Sequence, residues 1–408
     1  MTVSTDNTNI LTSLSNPFPN GFNLPLGSIE GPTSGASTQL GLGIGESFFI
    51  DWRNPVIQQW NANLQRELPG DWVIEAAYLG SKGQHLPDGE SSMEYNQLPA
   101  SYFSLGDRLL NNPANQVSNP FFGIITNPTS SLSRATVQSS QLLRPYPQYT
   151  GVGAFRKPQG NSLYHSFTLR VEKRFSRGLS SLVSFTAGKL IDDVSQQVTF
   201  LGQAGLKQDF YNRRAERSVS AQDISKRLVI SGNYDLPFGK NHKFLSSIPA
   251  AADWVVGGWQ LNGIATFQTG LPLAIGNGGN FANVFSTGQR PNTSGANPKR
   301  DGGIDERINQ YFDTTVFSQA GNFTFGNVSR FAPNLRGPGS NNIDFSLFKN
   351  FRYKERFRVQ LRAEAFNIAN HPIWNGPGTT VNDLANFGII TAKGGQRRQI
   401  QVALKLIF

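Results

Sequence analysis

Segment after segment of this chain alternates polar and apolar side chains, and the segments are joined by connections of two very different lengths. Successive side chains on a strand point to opposite faces, so alternation makes one face apolar and the other polar. Residues 357–366 are the cleanest case: Phe357, Val359, Leu361, Ala363 and Ala365 oppose Arg358, Gln360, Arg362 and Glu364. The final residues repeat the pattern, with Ile400, Val402, Leu404, Leu406 and Phe408 opposing Gln399, Gln401, Ala403 and Lys405. A half-buried strand of a soluble sandwich alternates in the same way, so one such strand leaves the fold class open.

The strands come in pairs. Residues 56–68 set Trp60, Ala62 and Leu64 against Gln59, Asn61, Asn63 and Gln65; Pro69-Gly70-Asp71 then leads into residues 72–80, where Trp72, Ile74, Ala76 and Tyr78 oppose Glu75. Pro and Gly supply the backbone angles of such a turn. Residues 166–175 and 179–189 meet at Ser176-Arg177-Gly178, residues 228–236 precede 256–269, and residues 343–351 turn through 352–356 into 357–366. The links between pairs are long, at residues 81–161, 191–227, 273–342 and 370–396. Structureless loops of that size are uncommon in compact soluble domains, whereas outer-membrane barrels have short periplasmic turns and long extracellular loops. The pattern therefore predicts an all-β, antiparallel transmembrane β-barrel. Its wall would hold about nine or ten strands within residues 54–408, behind a polar, Gly-rich lead at 1–53 that belongs to an extracellular loop or strand. Aromatic girdles are expected at Trp72, Phe175, Phe238, Trp254, Phe351, Tyr353 and Phe408 on the short-turn side, and at Tyr78, Tyr164, Phe267 and Trp374 on the other.

Composition removes competing classes. The hydrophobic fraction is 38% and the charged fraction 16%, with 42 Gly and 23 Pro. No apolar run of about 18 residues exists, so a membrane-spanning helix is excluded. A barrel strand needs only one apolar face, which is compatible with a mean hydropathy of −0.33. The absence of Cys excludes thiolate metal sites and a disulfide framework. Residues 1–9 lack the basic start, apolar run and small-residue cleavage site of a secretory signal. That lack and the strand parity predict a fragment without its plug and N-terminal strands, although a further strand at residues 41–50 would restore parity.

Chemistry-bearing motifs are scarce. His85, His165, His242 and His371 stand in no HExxH pattern, and no GxSxG elbow or Walker-type loop occurs. The glycine run at 41–45 lacks a following helix and is read as a flexible lead. Asp301, Asp305 and Glu306 fall short of a calcium loop and are read as solvated. No catalytic, cofactor-binding or metal residue is predicted, and no enzyme activity. The net charge of +10 is spread over loops and inward strand positions with no basic helix, which argues against nucleic acid. Phosphorylated outer-leaflet lipid or an anionic solute fits that field better. Glu75, Arg170, Glu172, Arg174, Arg358, Arg362 and Glu364 are the candidate lumen-lining residues. Mutual pairing across strands is the favoured account of them.

Four ordered stretches carry a family resemblance: NPVIQQWNANLQRELPGDWVIEAAYLGSKGQHL (54–86), YNRRAERSVSAQDISKRLVISGNYDLPFG (211–239), TFGNVSRFAPNLRGPGSNNIDFSLFKNF (324–351) and LRAEAFNIANHPIWNGPG (361–378). They resemble the C-terminal barrel of Oar-like TonB-dependent transporters. The resemblance implies a cell outer-membrane location, and uptake of a large, unidentified solute driven by the TonB complex through an N-terminal region missing from this chain. It implies a full-length protein with a signal peptide, a carboxypeptidase-regulatory-like domain, a plug and a barrel of about 22 strands. It also implies that Phe408 is the signal read by the barrel assembly machinery. A passive porin or surface adhesin is the alternative, and an outer-membrane hydrolase a more remote one.

Overall fold

A computed structural model describes residues 40–44, 52–88, 93–154, 157–194, 207–240, 242–284, 288–353, 357–395 and 397–407. Phe408 lies outside the described residues, as do the lead up to residue 39 and the turn at 354–356.

Nine strands form one antiparallel wall: β1 Val56–Leu68, β2 Trp72–Asp88, β3 Lys157–Ser176, β4 Leu179–Asp192, β5 Lys226–Asp235, β6 Trp259–Gln268, β7 Ser340–Tyr353, β8 Phe357–Phe366 and β9 Gln399–Ile407. Each pairs with its sequence neighbours, from β1 at one edge to β9 at the other, and Ser218–Val219 adds a short strand against β4. The two edges do not meet, so the sheet is an open segment of wall. Register keeps the faces consistent: Leu361 stands opposite Leu404, and Ala363 opposite Val402, in one row, while Arg362 stands opposite Ala403, and Glu364 opposite Gln401, in the next. The apolar rows are exposed, with Leu404 at 67% and Ile400 at 71%, because nothing in the chain covers them.

The turns obey their local chemistry. Arg177 and Gly178 both take positive φ, 51° and 82°, as a two-residue hairpin requires. Gly80 has a different reason: opposite it in β1, the indole of Trp60 lies over its backbone, and a Cβ would fall 2.2 Å from that ring.

Several strands outrun their predicted length. β2 has 17 residues and β3 has 20, whereas a tilted strand needs about 9–11 to cross a bilayer. Their ends distal to the short turns lose the strict alternation, so periodicity alone does not reveal them. β6 is shorter than predicted because Ala250–Val256 forms helix α1. Of the possible strand at 41–50, residues 45–50 lie outside the described residues, and Gly43–Ile44 pairs with the loop strand Gly151–Ala154 instead of the wall. Two girdle expectations also fail. Tyr164 lies in the inward row with Ser81 and Leu190, and Trp374 packs on a loop core. Trp72, Phe175, Phe238 and Trp254 are exposed at the short-turn end as expected.

The long connections are not open chain. Leu273, Ile275, Phe312, Phe317, Leu335 and Ile390 belong to a buried cluster drawn from two loops, against which Trp374 and Phe387 pack. Phe312 meets Phe317 and Phe387 edge to face, at centroid distances of 5.9 and 5.3 Å. A second, smaller cluster joins Ile125, Leu132 and Val137. The loops therefore make a packed cap above the wall.

Candidate functional site: the lumen face and its cap

The inward rows divide into two charged groups. On β1–β4, the Asn63 amide donates to Glu75 at 2.7 Å, and Arg170 bonds Glu172 at 2.7 Å while standing 3.8 Å from Glu75. Arg174 reaches Glu67 at 2.7 Å. On β7–β9, Arg362 donates to Gln360 at 2.6 Å, and its guanidinium lies 4.8 Å above the Phe348 ring. Gln360 in turn donates to Asn350 at 2.9 Å, and Gln401 donates to Glu364. Arg358 lines a cavity near the short-turn end with Asp235, Gln260 and Asn350.

Uncharged polar side chains fill the space between these groups. A cavity of about 520 Å³ runs from Arg170 and Glu172 across Ser231, Asn233 and Asn262 to Asp344 and Ser346. The seven candidate residues thus all lie on rows of the polar face, but the structure does not gather them into one site. Four stand on one side of this trough and three on the other. Asn63, read from the sequence as part of the polar row, joins them, as do Glu67 and Asp344, which the sequence reading did not single out although alternation places both on the same face.

The strongest electrostatics lie above the wall. Asp88 and Asp192, at the distal ends of β2 and β4, bond Lys207 and Arg330. Arg336 bonds Asp223, and Arg213 meets Asp193 at 3.0 Å. Glu216 is fully buried; it accepts from Arg290 at 2.7 and 3.2 Å and from the backbone N–H groups of Gln208 and Asp209. Satisfying a buried carboxylate this completely offsets its large desolvation cost. These pairs clamp connections far apart in sequence. Two of the stretches that carry the family resemblance supply Arg213, Glu216, Asp223, Arg330 and Arg336, so the motifs include the clamp as well as wall strands.

Among the described residues no group of His, Asp and Glu is arranged to hold a metal. His165 bonds the Tyr78 hydroxyl at 2.7 Å on the outward face and is stacked on its ring. Glu306 accepts from the Gly303 N–H at 3.1 Å and caps the helical turn Ile304–Arg307.

A wall with one apolar face that nothing in the chain covers and a polar face toward a trough is the architecture of a membrane β-barrel wall. Among the described residues no helix is long and apolar enough to cross a membrane. Residues 1–401 match the outer membrane beta barrel domain family, and the chain belongs to it. Its location is the cell outer membrane. Among solved structures it is similar to the outer membrane transporter YddB from Escherichia coli, with 10% identity and a TM-score of 0.44 over 90% of this chain and 34% of that one. It is similar also to the ferripyoverdine receptor of the outer membrane of Pseudomonas aeruginosa, with 10% identity and a TM-score of 0.35 over 86% of this chain and 27% of that one. The ferric citrate transporter FecA matches with 9% identity and a TM-score of 0.34, over 86% of this chain and 31% of that one. The chain spans about a third or less of these transporters' lengths. No curated protein matches it.

Proposed function

We propose that this chain forms part of the wall and the extracellular cap of an Oar-like, TonB-dependent receptor that takes up a large solute without enzymatic chemistry. The observation that carries the reading is the union of a lipid-facing wall with a preorganised cap of long loops, a division of labour suited to capturing a ligand above a gated passage. The family resemblance in four ordered motifs supports the TonB-dependent class. Glu75, Arg170, Glu172 and Arg174 on one side, and Arg358, Arg362 and Glu364 on the other, border the passage. Their mutual bonds hold the wall and present a polar surface to whatever fills it.

Among the described residues no strand pairs with the outer edge of β1 or β9, and an unpaired backbone group costs several kcal/mol in lipid. Further strands therefore complete the wall in the working protein, together with a plug that contacts TonB from the periplasm. The barrel assembly machinery inserts it.

The test uses the protein assembled in outer membranes. Site-directed crosslinking should capture the TonB periplasmic domain, and planar bilayers should show no steady open current, because a plugged receptor is closed at rest. Persistent conductance without any TonB contact would favour a passive porin and overturn the reading.

A further inference from the structure

The connection between β5 and β6, residues 236–258, is unlike the other turns at its end of the wall. It does not hang free. Helix α1 folds back against the outward face and buries Lys349, which stands in a lipid-facing row between Trp259 of β6 and Leu361 of β8. Lys349 is only 3% exposed. Its ammonium donates to the Gly257 carbonyl and lies 5.3 Å from the Trp259 ring centre and 5.1 Å from that of Phe351. Trp254 of α1 packs on Phe351 at 5.9 Å, and the Trp259 indole donates to the Val255 carbonyl at 2.9 Å. A lysine on the lipid face of a barrel is destabilising to a degree that depends on depth. Here the connection supplies both its hydrogen bond and its apolar cover.

The same fold leaves the outer surface of the connection apolar. Phe244, Leu245, Trp254 and Val255 are 47, 51, 53 and 68% exposed. They are held there by structure, since Phe238 and Phe244 pair across the loop at 5.7 Å and the Asp253 carboxylate accepts from the Lys240 N–H at 2.6 Å. This surface continues the outward band of Trp259, Phe351 and Leu361; the Lys243 ammonium lies 5.3 Å from the Phe244 ring, and Lys240 lines the short-turn cavity beside Trp254, Phe351 and Arg358. Apolar side chains next to lysines, at the rim of a lipid-facing wall, match the layering of acyl chain and phosphate at a membrane interface.

We propose that residues 236–240 and 242–258 form a membrane-interface foot that binds phospholipid of the periplasmic leaflet, with Leu245, Trp254 and Val255 among the acyl chains and Lys240 and Lys243 on the headgroup phosphates. The occupant is lipid and not protein because the patch is continuous with the lipid-facing band and its charge is opposite to that of an anionic headgroup. The proposal rests on the outer-membrane family and is independent of TonB-driven uptake.

The chain has no Cys, so single labels report cleanly. Spin labels at Leu245→Cys and Val255→Cys would be compared with Leu404→Cys on the wall and Leu384→Cys in a loop, in protein from outer membranes reconstituted into phosphatidylethanolamine–phosphatidylglycerol vesicles. Heat-modifiable migration verifies that each variant is assembled. Labels at 245 and 255 should collide with oxygen more than with a water-soluble nickel chelate, as at 404. The nickel-dominated pattern of 384, or spin broadening that grows with protein density and so reveals a second copy, would overturn the foot. In native mass spectrometry, the Lys240→Gln/Lys243→Gln variant should retain less than half as much phosphatidylglycerol as the parent. Unchanged retention would overturn the headgroup assignment.

Discussion

The wall and the cap of this molecule bury side chains in opposite ways. Along the nine wall strands Val73 is the only apolar side chain that is buried within the chain, among the described residues, whereas the cap holds Phe312, Phe331, Leu98, Leu109, Leu132 and Ile275 almost fully out of solvent. The wall is one layer thick, so its apolar face must be covered by lipid and its polar face by whatever occupies the lumen. The cap brings its own core and its own buried ion pairs, and it needs neither. The elements usually expected to be the most mobile, long loops, are here built like a small soluble domain, while the regular strands depend on their surroundings for stability.

The largest expected effects fall in the cap. Phe312→Ala removes a ring packed against two others and should cost about 3–5 kcal/mol of cap stability. Glu216→Ala leaves Arg290 buried without its partner, a loss of about 3–5 kcal/mol. In both variants hydrogen exchange should rise across residues 269–339 while heat-modifiable migration of the assembled barrel is retained. Loss of assembly together with cap protection would show that the two regions fold as one unit and break the distinction between them.

On the wall, Leu361→Arg should cost about 2–4 kcal/mol if its row crosses the bilayer near the midplane, measured by urea titration of the assembled protein in vesicles. Arg362→Gln, one residue away on the inward row, should cost much less. Equal losses at the two positions would mean that the faces are wrongly assigned. Smaller still is the pair formed by Arg174 and Glu67, both largely exposed, where Arg174→Gln should cost less than about 1 kcal/mol. A loss as large as that of Glu216→Ala would place this pair in a dry interior and erase the contrast between lumen and cap.

The smallest effect concerns the turn before β2. Bonds from the Ser176 and Lys173 side chains hold the Asp71 carboxyl below the usual aspartate range. Its contribution is therefore present above the unfolded pKa and lost as pH falls through the lower folded value. Carboxyl-carbon NMR of the assembled protein should give a midpoint below that of an ordinary aspartate, and an ordinary midpoint would mean that the turn is held by backbone alone.

The sequence by itself determined the wall. Period-two alternation in residues 357–366 and 399–407 is a local consequence of strand geometry, so it identified the two faces and the pairing of the strands without reference to distant residues. It also separated turns from loops, because Pro-Gly and Arg-Gly pairs dictate tight reversal where they stand. Only the tertiary structure decided what the loops do. Glu216 and Arg290 are 74 residues apart, and Arg330 and Asp192 are 138 apart; no periodicity links them, and composition alone made them resemble solvated chain. The same holds for Lys349, which interrupts an apolar row and shows its purpose only when α1 folds over it. Alternation is legible because each strand's two faces meet different solvents, whereas the partner of a buried charge is fixed by how remote loops come together in space.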